Sequence, residues 1–126
     1  MLLDTHVFLW SIFEPHRLSA ASRRLLENPG TQLFLSVASV WEISLKAQKG
    51  KIEVPDRVVD AQLNGLGIVP LAIALQHIRS LATLGQQERH KDPFDRLIAA
   101  QAIAERLPLI TADEAFAAYS NLVTIW

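Results

Sequence analysis

Short apolar runs alternating with capped helical stretches predict an α/β fold: three layers, helix, sheet and helix, around a central parallel sheet with right-handed crossovers. Two observations carry this. Leu2-Leu3, Leu33-Phe34-Leu35, Ile68-Val69 and Leu109-Ile110 read as short buried strands, and the segments between them carry their own start and stop signals. A third supports it: a single domain of 126 residues buries roughly two-thirds of the surface its unfolded chain exposes, enough for a real core.

Leu2-Leu3 turns directly into a short apolar helix, His6 to Phe13, stopped by Glu14-Pro15. Ser19 opens a second helix, Ala20 to Glu27, with Leu25 and Leu26 inward and Arg23 and Arg24 outward, before Asn28-Pro29-Gly30 breaks it. After strand Leu33 to Leu35, Ser36 is the expected N-cap of a helix reaching about Lys49, where Gly50 ends it. Pro55 marks the first turn of a shorter helix, and Gly65 and Gly67 bracket the exit into strand Ile68-Val69. A helix is expected over Leu71 to Leu84, then a polar loop from Gly85 to Lys91. Asp92-Pro93 opens the strongest helix signal, Phe94 to Glu105. Strand Leu109-Ile110, a helix from Ala112 to Tyr119 and a closing strand Val123 to Ile125 complete the order.

Half the residues are hydrophobic and a fifth charged, which excludes disorder and low complexity. The formal net charge of −1 excludes a basic module that coats nucleic acid non-specifically, so any such contact is local. With no cysteine there are no disulfides, thiolate zinc sites or cysteine nucleophiles, and a cytoplasmic location is the expectation. No apolar stretch approaches the ~20 residues that span a bilayer, and Asp4 interrupts any secretory leader, so the mature fold is expected to begin at residue 1 without a membrane segment.

Four acids stand where this architecture could gather them. Asp4 and Asp113 follow two strands, Asp95 opens the long helix and Glu42 lies inside the helix after Ser36. In open α/β sheets the ligand crevice lies beyond the carboxyl ends of the strands, where the strand order reverses. Each acid also has a plain structural explanation. Asp92 and Asp95 could form a capping box around Pro93, Thr111 and Glu114 a second one with Asp113 meeting the helix dipole, and Asp4 could cap the helix after it. Glu42 could pair with Lys46 on a solvated stripe with Ser39 and Lys49. Caps alone, however, do not require acids after two separate strands together with a mid-helix glutamate. Two carboxylates about 4 Å apart repel by roughly 4 kcal/mol at an effective dielectric of 20, so a converging cluster needs protons or a cation. Oxygen-only ligands select magnesium or manganese.

Leu2-Leu3-Asp4-Thr5-His6, Ser36-Val37-Ala38-Ser39-Val40-Trp41-Glu42-Ile43, His90-Lys91-Asp92-Pro93-Phe94-Asp95-Arg96 and Leu109-Ile110-Thr111-Ala112-Asp113 occur in that order over essentially the whole chain. In this the sequence resembles the PIN-domain ribonucleases, and within them the VapC-like toxins of type II toxin-antitoxin pairs. The resemblance implies a PIN-like fold over residues 1–126 and an acidic quartet of Asp4, Glu42, Asp95 and Asp113. That quartet would hold Mg2+ or Mn2+ and cleave RNA through a water activated by the metal, with Asp95 or Asp113 orienting the water. The implied products carry 5′-phosphate and 3′-hydroxyl ends. Thr111 matches a supporting hydroxyl, and Thr5, Ser39 and Asp92 are further supports around the acids. Lys46, Lys49, Arg89, Lys91 and Arg96 are candidates for phosphate contacts, against ordinary solubility. The resemblance also implies a cognate antitoxin and a homodimer. His6 departs from the asparagine or serine often found after the opening Asp-Thr and is expected in core or rim packing. Trp10, Trp41 and Trp126 are expected in the core or at an interface rather than as base-stacking platforms.

Three rivals remain. A receiver-type signalling domain needs adjacent acids after its first strand and a lysine after its last; the sequence offers Asp4-Thr5 and closes on Trp126. A PIN fold that has lost catalysis would only bind RNA or a protein. A metal-dependent DNA nuclease would share the acids and differ in substrate.

Overall fold

The computed structural model describes residues 1–85 and 91–126. Five parallel strands form one sheet: β1 (Leu2–Leu3), β2 (Leu33–Ser36), β3 (Ile68–Leu71), β4 (Leu109–Ile110) and β5 (Thr124–Ile125). Their order is β3-β2-β1-β4-β5, so the chain winds outward from β1 first to one side and then to the other. Leu2 and Leu3 pair with Phe34 and Leu35 on one flank and with Leu109 and Ile110 on the other. The strand order thus reverses at β1, and the crevice expected of a doubly wound sheet opens after Leu3 and Ile110.

The helices are α1 (Thr5–Phe13), α2 (Ala20–Glu27), α3 (Val37–Gln48), α4 (Asp56–Gly65), α5 (Leu75–Thr83) and α6 (Pro93–Glu105), with 3₁₀ turns at Pro15–Arg17 and Glu114–Ala118. Neighbouring residues of a strand face opposite ways. Leu3, Leu35 and Ile110 therefore pack with Val7, Phe8, Leu26, Ile43 and Val59 of α1 to α4, while Leu2 and Leu109 pack with Ile98, Ala99 and Ala102 of α6 and with Phe116. Two apolar layers of this kind give the expected helix, sheet and helix arrangement. Among the described residues no helix is long and apolar enough to cross a membrane.

Ser19 and Ser36 cap α2 and α3 as expected, accepting from the amides of Ser22 and Ala38. Three expectations are corrected. Pro55 is the N-cap of α4 rather than its first helical residue. The helix expected from Leu71 begins only at Leu75, because β3 continues through Pro70 to Leu71 and pairs Leu71 with Ser36. Proline is tolerated there because β3 is an edge strand, where a missing donor faces no partner. The helix expected over Ala112 to Tyr119 is a 3₁₀ turn from Glu114 to Ala118, capped by Asp113 and not by Thr111. The polar loop expected from Gly85 to Lys91 lies mostly outside the described residues.

Candidate metal centre

The backbone ladder aims the first two polar side chains. The Asp4 amide donates to the Ile110 carbonyl at 3.0 Å and the Thr111 amide to the Ile125 carbonyl at 3.0 Å, so both residues are fixed where β1 and β4 end. Across the switch point the Thr111 hydroxyl donates to Asp4 Oδ2 at 2.7 Å and accepts from the Asp113 amide at 3.0 Å. Thr111 thereby ties two of the acids together, and its hydroxyl is committed to them rather than to a helix cap. Asp113 turns back to accept from the Ala115 amide at 2.9 Å, so for this residue capping and proximity to the site hold together.

Asp4 occupies the N-cap position of α1 without capping it. The His6 amide is near enough to favour the charged carboxylate but is not aligned as a cap bond. Asp4 is 2% exposed, and its Oδ1 is buried with no hydrogen-bond partner. Burial pushes this carboxyl above the ordinary aspartate range; the Thr111 hydroxyl and His6 pull it back, and the charge of Asp113 adds to the rise.

Glu42 overturns the solvated stripe. It is 5% exposed, with Oε2 3.2 Å from Lys46 Nζ and Oε1 buried without a partner. Ser39, one turn earlier on α3, is also buried and accepts from the Thr5 hydroxyl at 2.9 Å. That bond pins the start of α1, next to Asp4, to the turn of α3 before Glu42.

Asp95 sits half-buried in the first turn of α6. The helix dipole favours a carboxylate there by about 0.3–1 kcal/mol. The surroundings override that preference: burial, then the charges of Asp92, Asp4, Glu42 and Asp113, push Asp95 up to about 7. All four quartet members therefore act in one electrostatic field. Asp92 is exposed and caps α6, accepting from the amides of Phe94 at 2.8 Å and Asp95 at 3.3 Å, so it acts on the cluster through charge.

Among the described residues no three acids are drawn into a ready coordinating group. What fits a divalent cation is the donor set itself: the neighbouring acids whose charges raise Asp95, and two buried oxygens, Asp4 Oδ1 and Glu42 Oε1, that lack any donor. Buried polar atoms are nearly always satisfied, so two orphans in one crevice call for a cation or a proton.

The basic candidates divide. Lys46 is committed to Glu42, and Arg96 donates to the Gly85 carbonyl at 2.7 Å and hydrogen-bonds Tyr119, so both brace the site rather than stand free at its rim. Lys49 and Lys91 are exposed, and Arg89 and His90 lie outside the described residues. His6 is exposed, lies tilted against Trp10 with ring centroids 6.2 Å apart and, with Lys46 and Phe13, lines a groove of about 400 Å³. The core expectation for the tryptophans fails. Trp41 and Trp126 are exposed and Trp10 is half-buried, with Arg17 4.3 Å over its ring.

One buried polar cluster escaped the sequence reading. His77, 1% exposed, accepts the Ala74 amide on Nδ1 at 2.9 Å, which leaves the proton on Nε2 to be donated to Glu105 at 2.7 Å and locks α5 to α6. A histidine three residues into a helix whose N-cap is an alanine was the available signal.

The PIN domain family model matches residues 1–122. A relative named Ribonuclease VapC22, from Mycobacterium tuberculosis, is 29% identical over 134 aligned positions, spanning 100% of this chain and 98% of the relative. Two solved structures share the fold at TM-scores of 0.72 and 0.65: VapBC2 from Rickettsia felis bound to a promoter DNA fragment, and a toxin-antitoxin complex from Klebsiella pneumoniae. They are 19% and 23% identical, with 98% of this chain covered by each and 96% and 95% of the respective partner chains. FitAcB from Neisseria gonorrhoeae follows at 0.61, with 23% identity over 99% of this chain and 96% of that one. The switch-point acids, the parallel sheet and the match over 122 of 126 residues lead to one conclusion: the chain belongs to the PIN domain family.

Proposed function

We propose that the chain is a single PIN domain acting as a divalent-metal-dependent endoribonuclease, the toxin of a type II toxin-antitoxin pair in the cytoplasm. The observation that carries the catalytic reading is the convergence of Asp4, Glu42, Asp95 and Asp113 in one field, with two buried carboxylate oxygens lacking a donor. The names of the relative and of the structural neighbours support the biological role and a cognate antitoxin as partner, while a homodimer as the working state rests on the motif resemblance alone.

Asp4, Glu42, Asp95 and Asp113 would hold Mg2+ or Mn2+, which when bound activates water and neutralises the phosphate. Thr111 fixes the Asp4 carboxylate, and the Thr5 to Ser39 bond fixes the α1 and α3 backbones that carry Asp4 and Glu42. Asp95 or Asp113 would orient the attacking water beside the bound ion. Exposed Lys49 and Lys91 are the described candidates for contacts with the phosphate backbone, and Arg89 is a further candidate.

A second reading rests on Lys46: its ammonium already supplies Glu42 with one positive charge, as expected of a domain that keeps the fold and only binds RNA or protein. Cleavage decides between them. Single-stranded RNA and DNA are incubated side by side with Mg2+, Mn2+ or EDTA. The nuclease reading expects metal-dependent cuts in RNA that are lost in Asp4→Asn, Glu42→Gln, Asp95→Asn and Asp113→Asn while the fold persists. Asp92→Asn is expected to keep most activity, because asparagine still caps α6. RNA left intact by the folded wild type under every metal condition would establish the binding module, and cuts in DNA alone would establish a DNA nuclease.

A further inference from the structure

Trp41 precedes Glu42 on α3 and Phe94 precedes Asp95 on α6, and the two rings meet edge to face, with centroids 5.0 Å apart and planes at 72°. Trp41 is 57% exposed, whereas Phe94 is half-buried. Successive helical residues point about 100° apart, so the indole turns to solvent from the same turn of α3 that sends the Glu42 carboxylate inward. On α6, Phe94 and Asp95 are likewise neighbours in one turn. The pair thus forms a step between the two helices that carry these acids.

We propose that Trp41, braced by Phe94, is a base-stacking subsite that takes one unstacked base of a single-stranded RNA next to the scissile phosphate. This rests on the nuclease reading for its substrate. Three features favour a base over another occupant. An exposed indole offers a flat π-face, and stacking of a base on it tolerates any sequence yet prefers large ring faces. The Phe94 contact fixes the indole orientation in the free protein, so little ordering entropy is lost when a base arrives. The step also adjoins the acids, because the ring contact joins α3 and α6 at the residues immediately before Glu42 and Asp95. Single-stranded RNA is read in this way, by splaying bases onto aromatic side chains.

The test pairs side chain with base. Cleavage of short single-stranded RNAs is measured for wild type, Trp41→Ala and Trp41→Phe, with an abasic nucleotide placed at each position around the cut in turn. Trp41→Ala is expected to raise KM about tenfold to a hundredfold with kcat little changed, and Trp41→Phe to recover most of the loss. Removing the base at one flanking position is expected to cost the wild type as much as the alanine variant loses, with no further loss in combination. A second readout does not need activity. In a Trp10→Phe/Trp126→Phe background, Trp41 fluorescence is expected to be quenched by the intact oligonucleotide and not by the one abasic at that position.

Equal losses for Trp41→Ala on intact and abasic substrates, or unquenched Trp41 emission with RNA bound, would overturn the subsite. A shift to a smaller species in sedimentation, with substrate discrimination unchanged, would assign the step to contact between two copies and overturn it as well. Quenching without cleavage by the wild type would remove the nuclease chemistry and leave the stacking site standing.

Discussion

Replacing Asp95 by asparagine is expected to stabilise the protein in EDTA while abolishing its response to metal. The wild-type carboxyl titrates at about 7 in the folded state against an ordinary value of 3.8. A raised acid contributes stability that is full below about pH 3.8 and lost as pH rises through 7, where the folded state must carry a charge its neighbours oppose. The difference of 7 − 3.8 units at about 1.36 kcal/mol each sets a ceiling near 4 kcal/mol at pH 8. Asp95 is only half-buried, so solvent screening reduces this to about 1–2 kcal/mol, or about 4–8 °C in Tm for a domain of this size. The assay is thermal and denaturant unfolding of both proteins from pH 4 to 8, in EDTA and in Mg2+. The variant's advantage should grow with pH in EDTA. Metal at 100 times its Kd should then stabilise the wild type by about 2.7 kcal/mol and leave the variant unmoved. If Asp95 were a simple first-turn acid, its removal would instead cost about 0.3–1 kcal/mol and the pH profile would be flat. That outcome would refute the shared field.

Two further substitutions separate the site from its scaffold. Thr111→Val removes the donor to Asp4 and the acceptor for the Asp113 amide, and should destabilise the protein by about 1–3 kcal/mol while weakening metal-dependent stabilisation; unchanged melting in both conditions would show that the hydroxyl does not organise the acids. His77→Leu deprives the Ala74 amide and Glu105 of their buried partner and should cost about 2–3 kcal/mol, with the increment due to Mg2+ in melting experiments preserved, because the α5 to α6 lock lies outside the acidic field.

The parts of the fold that were legible in the sequence are those decided locally. Ser19, Ser36 and Asp92 announce helix starts by side-chain capping, and the short apolar runs announce strands because the flanking helices leave them no solvent. What failed depends on partners distant in sequence. Leu71 looked like the start of a helix because nothing nearby says that Ser36 pairs with it. Thr111 with Glu114 looked like a capping box because nothing nearby says that Asp4, 107 positions earlier, takes the hydroxyl. The four acids were singled out because Asp4 and Asp113 follow strands while Asp95 opens a helix and Glu42 lies inside one, a set that capping alone does not require, and from the motif resemblance. The burial of Glu42 was not legible, since Ser39, Lys46 and Lys49 make its stripe polar. Only the packing of α1 and α6 against α3 shows that Ser39 and Glu42 face inward.

The same burial bears on whether this PIN domain works as an enzyme. A domain needed only as a surface has no physical use for Asp4 and Glu42 in the crevice, because each orphan oxygen costs about 1–3 kcal/mol and a neutral side chain of similar size would avoid it. Lys46 offsets part of that cost at Glu42 Oε2, but it does not reach the orphan Oε1 and offers nothing to Asp4 Oδ1. Thr111 likewise satisfies one Asp4 oxygen and leaves the other. The pattern is consistent: each buried acid has one oxygen held by the protein and one held open, which orients the carboxylate while keeping a lone pair for an incoming ion. A divalent cation held by these acids would offset the desolvation cost of both and relieve the repulsion on Asp95. The open oxygens of Asp4 and Glu42 therefore support the proposed metal-binding role over that of a domain that only binds RNA or protein.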